Sequence, residues 1–444
     1  MRDVLERELA GLTSRSIKVT GCAVQPTKSR KRSDDQRQLI YYLSIEIDGA
    51  SAAEYTLLGS TPAPDDALDD AVATLCRATT GHAALAPFER SFHYIPELQM
   101  SLLFFPVDPA LPALVEATGA GASAILASHL PECSDGASVE DVVCEPKHYK
   151  PGARAVLRLC ARLRTNGDAP LERVVYAKLF ADDRGAQNLR ALRDLWAALR
   201  DSSCVRLPEP LGYDADRRMV LIREVTGGHD LDAWIKRLEK GQPLPDGVTM
   251  EQMGACMVTA ARALCEIHGS GLQLDGRRTF EGALENVHED LPKAIETQPE
   301  LAAMATDVLA RLERQPPSSD LLVPSHGGFR HKQMTGDESC LSVVDWDDLA
   351  MAHPAMDAAQ FITRLRQVPI RTAAPDHPLQ IFAESFRRTF LAGHPHMPPG
   401  DLASYEALAL VEKAVRACRR PSSSSKKPLR TRRLLDEAAA LVAR

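Results

Sequence analysis

Residues 325–361 read SHGGFRHKQMTGDESCLSVVDWDDLAMAHPAMDAAQF. His326-Gly327 opens a loop. Leu341-Ser342-Val343-Val344 is a short apolar, β-like run that ends in Asp345-Trp346-Asp347. A carboxylate directly after a buried strand is presented at the chain end to a cleft, and hard oxygen ligands of this kind suit magnesium. Asp357 follows early in the next predicted helix, where a carboxylate favours the positive helix end.

Working upstream, the chain is β-rich before it is helical. Val142–Tyr149, Ala155–Leu163 and Arg173–Phe180 read as strands, with a Lys150-Pro151-Gly152 turn after the first. Alternation puts Lys178 on the same face as Tyr176 and Val174. Gly185–Leu199 reads as a helix with Leu189, Leu192, Leu195 and Leu199 on one face. Met219–Val225 is the next strand, ended by Gly227-Gly228. From about residue 230 helices dominate: Met250–His268, Leu301–Leu312, Asp401–Arg419 and Leu434–Val442.

An earlier block, residues 17–60, is also β-rich. Strands are expected at Ser16–Val24 and Leu39–Asp48, with a polar, solvated turn at Lys28–Asp35. A helix is expected at Asp65–Ala78 and a strand at Met100–Phe105. Glu132–Ser138 reads as a linker. The two β-rich blocks run in similar order. Either an internal duplication or two unrelated segments accounts for that, and the sequence leaves both open.

Composition sets outer limits. At 444 residues the chain buries a substantial core and has room for two or three domains. A net charge of −7 argues against a nucleic-acid binder. No run of about 18 apolar residues suggests a membrane span, and the charged start MRDVLERELAGL lacks the apolar core of a signal peptide. The expected location is cytoplasmic. Ten scattered cysteines form no C-x-x-C and no zinc-ligand cluster, so mostly buried free thiols are expected.

His326-Gly327, Asp345-Trp346-Asp347 and the lysine strand upstream together resemble the aminoglycoside phosphotransferase/choline kinase family, relatives of the protein kinases. That resemblance spans about residues 140–420. It implies an α+β, protein kinase-like two-lobe fold, with a β-rich N-lobe over 136–228 and a helical C-lobe over 229–444. ATP is expected in the cleft between them. Residues 1–135 are an extra N-terminal α+β module, read as a degenerate N-lobe duplicate in which Leu57-Leu58 lie where a lysine is needed. A basic, flexible segment is expected near 420–433.

The resemblance also implies roles. Lys178 contacts the α- and β-phosphates, and Lys150 and Arg154 lie on the turn that covers phosphates. Glu224 and Thr226 belong to the hinge that pairs with adenine. Asp345 binds Mg2+, helped by Gln333 and Asp347, and Asp357 ties the loop by hydrogen bonds. The catalytic set is His326, Gly328 and His331, with His326 read as a buried support. The family's first segment is His-Gly-Asp-x-x-x-x-Asn, so Gly328 stands where the catalytic Asp belongs and Gln333 where the Asn belongs. The helix after Lys178 has no glutamate to hold it; Gln187 and Asp194 are the alternatives. His331, Asp347 or a substrate group is left to act as base.

Two functions follow. One is an ATP- and Mg2+-dependent small-molecule O-phosphotransferase acting on an alcohol group of an unnamed hydroxylated substrate. The other is a pseudokinase, a nucleotide-binding regulatory protein without transfer. Neither nucleic acid nor membrane is expected as a partner.

Overall fold

The computed structural model describes residues 1–26, 37–61, 70–165, 169–245, 247–419 and 426–443. The expected turn at Lys28–Asp35 and residues 420–425 of the basic segment lie outside them; the rest of that segment, 426–433, expected to be flexible, is helical, because it leads into a helix whose Leu434, Leu435 and Ala438 are buried. The chain divides into two compact units, residues 1–189 with 210–224, and residues 190–209 with 225–444.

The first unit contains two five-stranded antiparallel sheets. One is built from β1 (Ile17–Pro26), β2 (Arg37–Ile47), β3 (Ala53–Thr61), β4 (Phe92–Ile95) and β5 (Met100–Phe104), in the order β1-β2-β3-β5-β4. Its buried face, with Tyr41, Leu43, Ile45, Leu57 and Leu102, packs on Leu5 and Leu9 of α1 (Arg2–Ala10). The other sheet is built from β6 (Ser138–Lys150), β7 (Arg154–Arg164), β8 (Leu171–Phe180), β10 (Pro210–Asp214) and β11 (Met219–Arg223), in the order β6-β7-β8-β11-β10. Each sheet is thus a three-stranded meander, then a helix, then a hairpin whose second strand pairs with the third. The helices are α2 (Asp70–Ala78) in the first case and α6 (Arg184–Ala198) in the second.

Period-2 patterning decides the faces. Along β7, Ala155, Leu157, Leu159, Ala161 and Leu163 are buried, as are Val175, Ala177 and Leu179 along β8. This face is covered by the short helices α3 (Leu114–Thr118), α4 (Ala122–Ala127) and α5 (Pro131–Ser134), through Leu114, Ile125, Leu126 and Leu130. Each buried leucine contributes roughly 1.5–3 kcal/mol. Lys178 points to the opposite face with Val174 and Tyr176.

The stretch expected as a linker, Glu132–Ser138, is instead anchored. Residues 131–134 are helical, and the Glu132 carboxylate accepts from Arg173 on β8 and Arg223 on β11. Those arginines come from distant strands, so local loop-like composition gave no sign of them.

The second unit is mostly helical. It holds α7 (Leu231–Glu239), α8 (Met250–His268), α9 (Phe280–Thr297), α10 (Pro299–Arg314), α11 (Ala355–Thr372), α12 (Pro378–Gly393), α13 (Pro399–Cys418) and α14 (Lys426–Leu441). Two small sheets carry its loops. β12 (His229–Asp230), β15 (Met334–Gly336), β16 (Leu341–Val343) and β9 (Val205–Arg206) form one. β13 (Arg277–Arg278), β17 (Ala350–Ala352) and β14 (Val323–Ser325) form the other. α14 starts eight residues before the expected Leu434, at Lys426. Pro428 falls in its first turn, where a missing N–H loses no helical bond. Among the described residues no helix is long and apolar enough to cross a membrane. All ten cysteines are free; Cys204, Cys256 and Cys418 are buried and the rest half-buried.

Candidate active site

The loop between β14 and β15 is fixed from below by one carboxylate. Asp357, fully buried on α11, accepts the backbone N–H of His326 at 2.6 Å and of Gly327 at 3.0 Å. Burial pushes its carboxyl up, but His268 at 3.9 Å, His326 and the loop amides outweigh that and hold it below the usual range. Gly327 has φ +76°, and a Cβ there would lie 2.4 Å from the Asp348 carbonyl, so only glycine fits.

His326 is buried and its ring lies against Trp346, with centroids 4.5 Å apart. Its Nε2 donates to the Val344 carbonyl at 3.0 Å, which fixes the tautomer, and burial lowers its pKa. Nδ1 is buried without a hydrogen-bond partner. The histidine therefore joins the loop to Val344 at the end of β16.

Asp345 follows β16 after one residue, Val344. It is exposed and adopts φ +73°, a left-handed conformation that costs an L residue on the order of 1–2 kcal/mol. Gln333 Nε2 donates to Asp345 Oδ2 at 3.1 Å, and Gln333 N–H and C=O are held by Arg330 and Val344. With its amine on the carboxylate, the amide presents Oε1, which is buried and has no partner. An orphaned amide oxygen beside a carboxylate is a donor set that fits magnesium, which takes one or two protein oxygens and leaves its other positions to phosphate and water. Among the described residues no group of three His, Cys, Asp or Glu side chains is placed to hold a metal. Asp347 is half-buried close by, and Asp348 is paired with Arg278 at 2.6 Å.

His331 is buried, with burial and Arg364 pushing its pKa down to about 4. Its Nδ1 lies 3.1 Å from the Asp232 carboxylate but off the line of a hydrogen bond. It is neutral at pH 7 and a weak base.

In the first unit, Lys178 pairs across the sheet with Val156 and Val220. Gln187 and Asp194, the alternatives for holding it, are exposed on α6, Gln187 in the first unit and Asp194 in the second. Lys150 is exposed at the end of β6, and Arg154 is half-buried at the start of β7. The turn between them is anchored by Asp108, a buried residue that sequence reading missed. Its carboxylate accepts Gly152 N–H at 2.7 Å and Tyr149 O–H at 3.0 Å. Glu224 is engaged twice, its carboxylate by Arg158 at 2.8 Å and its N–H by the Val174 carbonyl at 2.9 Å. In the second unit, Thr226 is exposed ahead of Gly228, whose missing Cβ lets the chain pass against Gly336.

The sequence profile of the phosphotransferase enzyme family, APH, matches residues 172–397, about half of the chain. No curated protein matches the sequence. Among solved structures, a putative aminoglycoside phosphotransferase from Ralstonia eutropha JMP134 is 15% identical, with a TM-score of 0.49 over 72% of this chain and 96% of that one. A choline kinase from Cryptosporidium parvum Iowa II is 11% identical, with a TM-score of 0.48 over 72% and 96%. Likenesses this distant bear on neither substrate nor mechanism. The profile match spans the lysine strand, the His-Gly loop and Asp345, and on it the chain belongs to the phosphotransferase enzyme family.

Proposed function

We propose that this protein is an ATP-dependent small-molecule phosphotransferase that works without a general base at position 328. The observation that carries the reading is the Gln333–Asp345 pair: an exposed carboxylate, with a buried amide oxygen beside it left without a partner. Asp345 and Gln333 are the side chains for magnesium, and Lys178 the one for phosphate oxygens. Bound Mg2+ would neutralise charge on those oxygens. Asp357 and His326 keep the loop in place, and Gly327 allows its close packing.

Gly328 accepts no proton, and His331, with a pKa of about 4 and a buried ring, is poorly matched to the task. Loss of a positioned base costs on the order of 10²–10⁴ in rate with an alcohol acceptor. Positioning and electrostatics supply most of phosphoryl-transfer catalysis, so transfer survives that loss. The same missing base favours the second reading, a pseudokinase that binds nucleotide without transfer. The test is ADP formation from MgATP with panels of small molecules. Turnover that disappears in Asp345→Asn supports the enzyme. Tight MgATP binding with no ADP from any acceptor supports the pseudokinase.

A further inference from the structure

The loop that lacks a proton acceptor carries positive charge in its place. The backbone of Gly328 is not left-handed, and a Cβ on it would lie 3.2 Å from Arg330 Nη2, 3.8 Å from Gln333 Nε2 and 3.9 Å from His326 Nδ1. Arg330 folds back onto the same residue, its Nε donating to the Gly328 carbonyl at 3.2 Å. The space open to a side chain at 328 is therefore fronted by a guanidinium, which cannot act as a base.

A second cation comes from α13. Lys413 is half-buried; burial pushes its amine down, Glu412 opposes, and Arg330, Arg364 and Arg416 lower it further. Arg364 is paired with Glu239 at 3.3 Å and Arg416 with Glu412, which leaves Arg330 and Lys413 as the cations to be answered there. Gathering like charges in a partly buried place is unfavourable unless something negative is bound there.

The neighbouring cavity is also lined by arginines, of which Arg278 is paired with Asp348 at 2.6 Å. It encloses about 460 Å³ and is lined by Arg277 and Arg278, with Tyr405, Asn286 and Gln360 among its polar groups. It shares a wall with the loop, because Arg278 Nη1 donates to the Gly327 carbonyl at 3.2 Å. Of its described lining residues only Glu412 carries a carboxylate, and that is paired with Arg416.

We infer that the acceptor is an anion whose attacking oxygen is already ionised, a carboxylate or a phosphate, held by Arg330 and Lys413. The inference rests on the phosphotransferase reading above. A lone pair of that oxygen forms the new bond to the γ-phosphorus of ATP. The bond from that phosphorus to the bridging oxygen breaks, and ADP leaves with the electron pair. No proton leaves the acceptor, so a glycine at 328 imposes no penalty there. Polycations such as aminoglycosides, and the choline cation, are repelled by the same charges.

The test uses the full chain. MgATP binding is first measured by calorimetry. ADP formation is then followed with acetate, succinate, inorganic phosphate and glycerol phosphate, and in parallel with glycerol, kanamycin and choline. Hydroxylamine trapping reports an acyl phosphate from the carboxylates, and pyrophosphate or a diphosphate ester reports a phosphate acceptor. The expected result is turnover with one anionic class, and a kcat/KM for that anion lowered tenfold or more in both Arg330→Gln and Lys413→Met, with MgATP affinity retained. Turnover with the neutral or cationic panel alone overturns the inference, and so does anion turnover unchanged in both variants. MgATP binding with no ADP from any anion also overturns it while leaving nucleotide binding intact. Absence of MgATP binding overturns the underlying reading.

Discussion

At position 328 the choice between a decayed kinase site and an adapted one comes down to what an aspartate there would meet. Its Cβ would lie 3.2 Å from Arg330 Nη2, a contact relieved when the end of that side chain gives by a few tenths of an ångström, and its carboxylate would pair with that guanidinium. Gly328→Asp is therefore expected to leave the fold intact and to weaken binding of an anionic acceptor about tenfold or more, the value of one charge-assisted hydrogen bond. Steady-state KM for the anion measures this; a strong rise in turnover with an alcohol acceptor would instead mark a decayed site. Much of this loop was legible in the sequence. The roles of Asp345, Gln333 and Asp357 were implied by the family resemblance; the tie from Asp357 spans 31 and 30 residues to His326 and Gly327, a distance that local pattern alone does not bridge. Arg330 sat unread inside the motif, since attention to the family's positions passes over the residues between them. Lys413 and Arg278 were not legible at all, because packing of distant elements brings them to the loop.

Among the elements, strongly patterned segments were legible and long-range ties were not. The helix expected at Met250–His268 has those bounds, with a Thr249/Gln252 capping box at its start. α9 went unread because Pro292 sits inside it, and tertiary packing overrides the local break. Glu406 on α13 is fully buried and paired with Arg366 of α11 at 3.3 Å and with Arg387 of α12. Glu406→Gln removes the buried carboxylate from Arg366, which keeps Glu437, and from Arg387, which keeps Glu384, and is expected to lower unfolding free energy by about 1–3 kcal/mol, read by urea denaturation. Asp108 ties the β6–β7 turn in a similar way. Asp108→Ala leaves Gly152 N–H and Tyr149 O–H without their acceptor, and faster amide hydrogen exchange across 149–154 is the expected outcome.

For the molecule as a whole, the two sheets of the first unit share one strand order and one pattern of antiparallel pairing. Their registers can be aligned on matching backbone bonds, Phe105 N–H to Thr56 carbonyl at 3.1 Å and Glu224 N–H to Val174 carbonyl at 2.9 Å. Four residues on, Ser60 occupies the place of Lys178. Leu57-Leu58, the neighbourhood read from sequence, lies two to three residues short of it, because loose sequence similarity cannot fix a register that pairing fixes. One nucleotide per chain is expected, with calorimetric stoichiometry near one. The first unit also carries a pH response. Burial pushes the Glu132 carboxyl up, but Arg173 and Arg223 outweigh that and bring it down to about 2. A depressed carboxylate stabilises the fold above its unfolded value of about 4.3 and loses that contribution as pH falls toward 2. Glu132→Gln is expected to cost up to about 3 kcal/mol at pH 7 and little near pH 2, seen as a flatter dependence of stability on pH between those limits.

The most direct test of the whole account is calorimetric titration of ATP into the wild-type chain and into Asp345→Asn, each with and without magnesium. Asparagine tolerates the left-handed backbone at 345, so the variant isolates the charge. The account predicts magnesium-dependent binding at one site, weakened in the variant by at least the roughly 10–100-fold that loss of a metal's outer-shell partner costs. Binding that ignores magnesium and the substitution alike, or no binding at all, would contradict it.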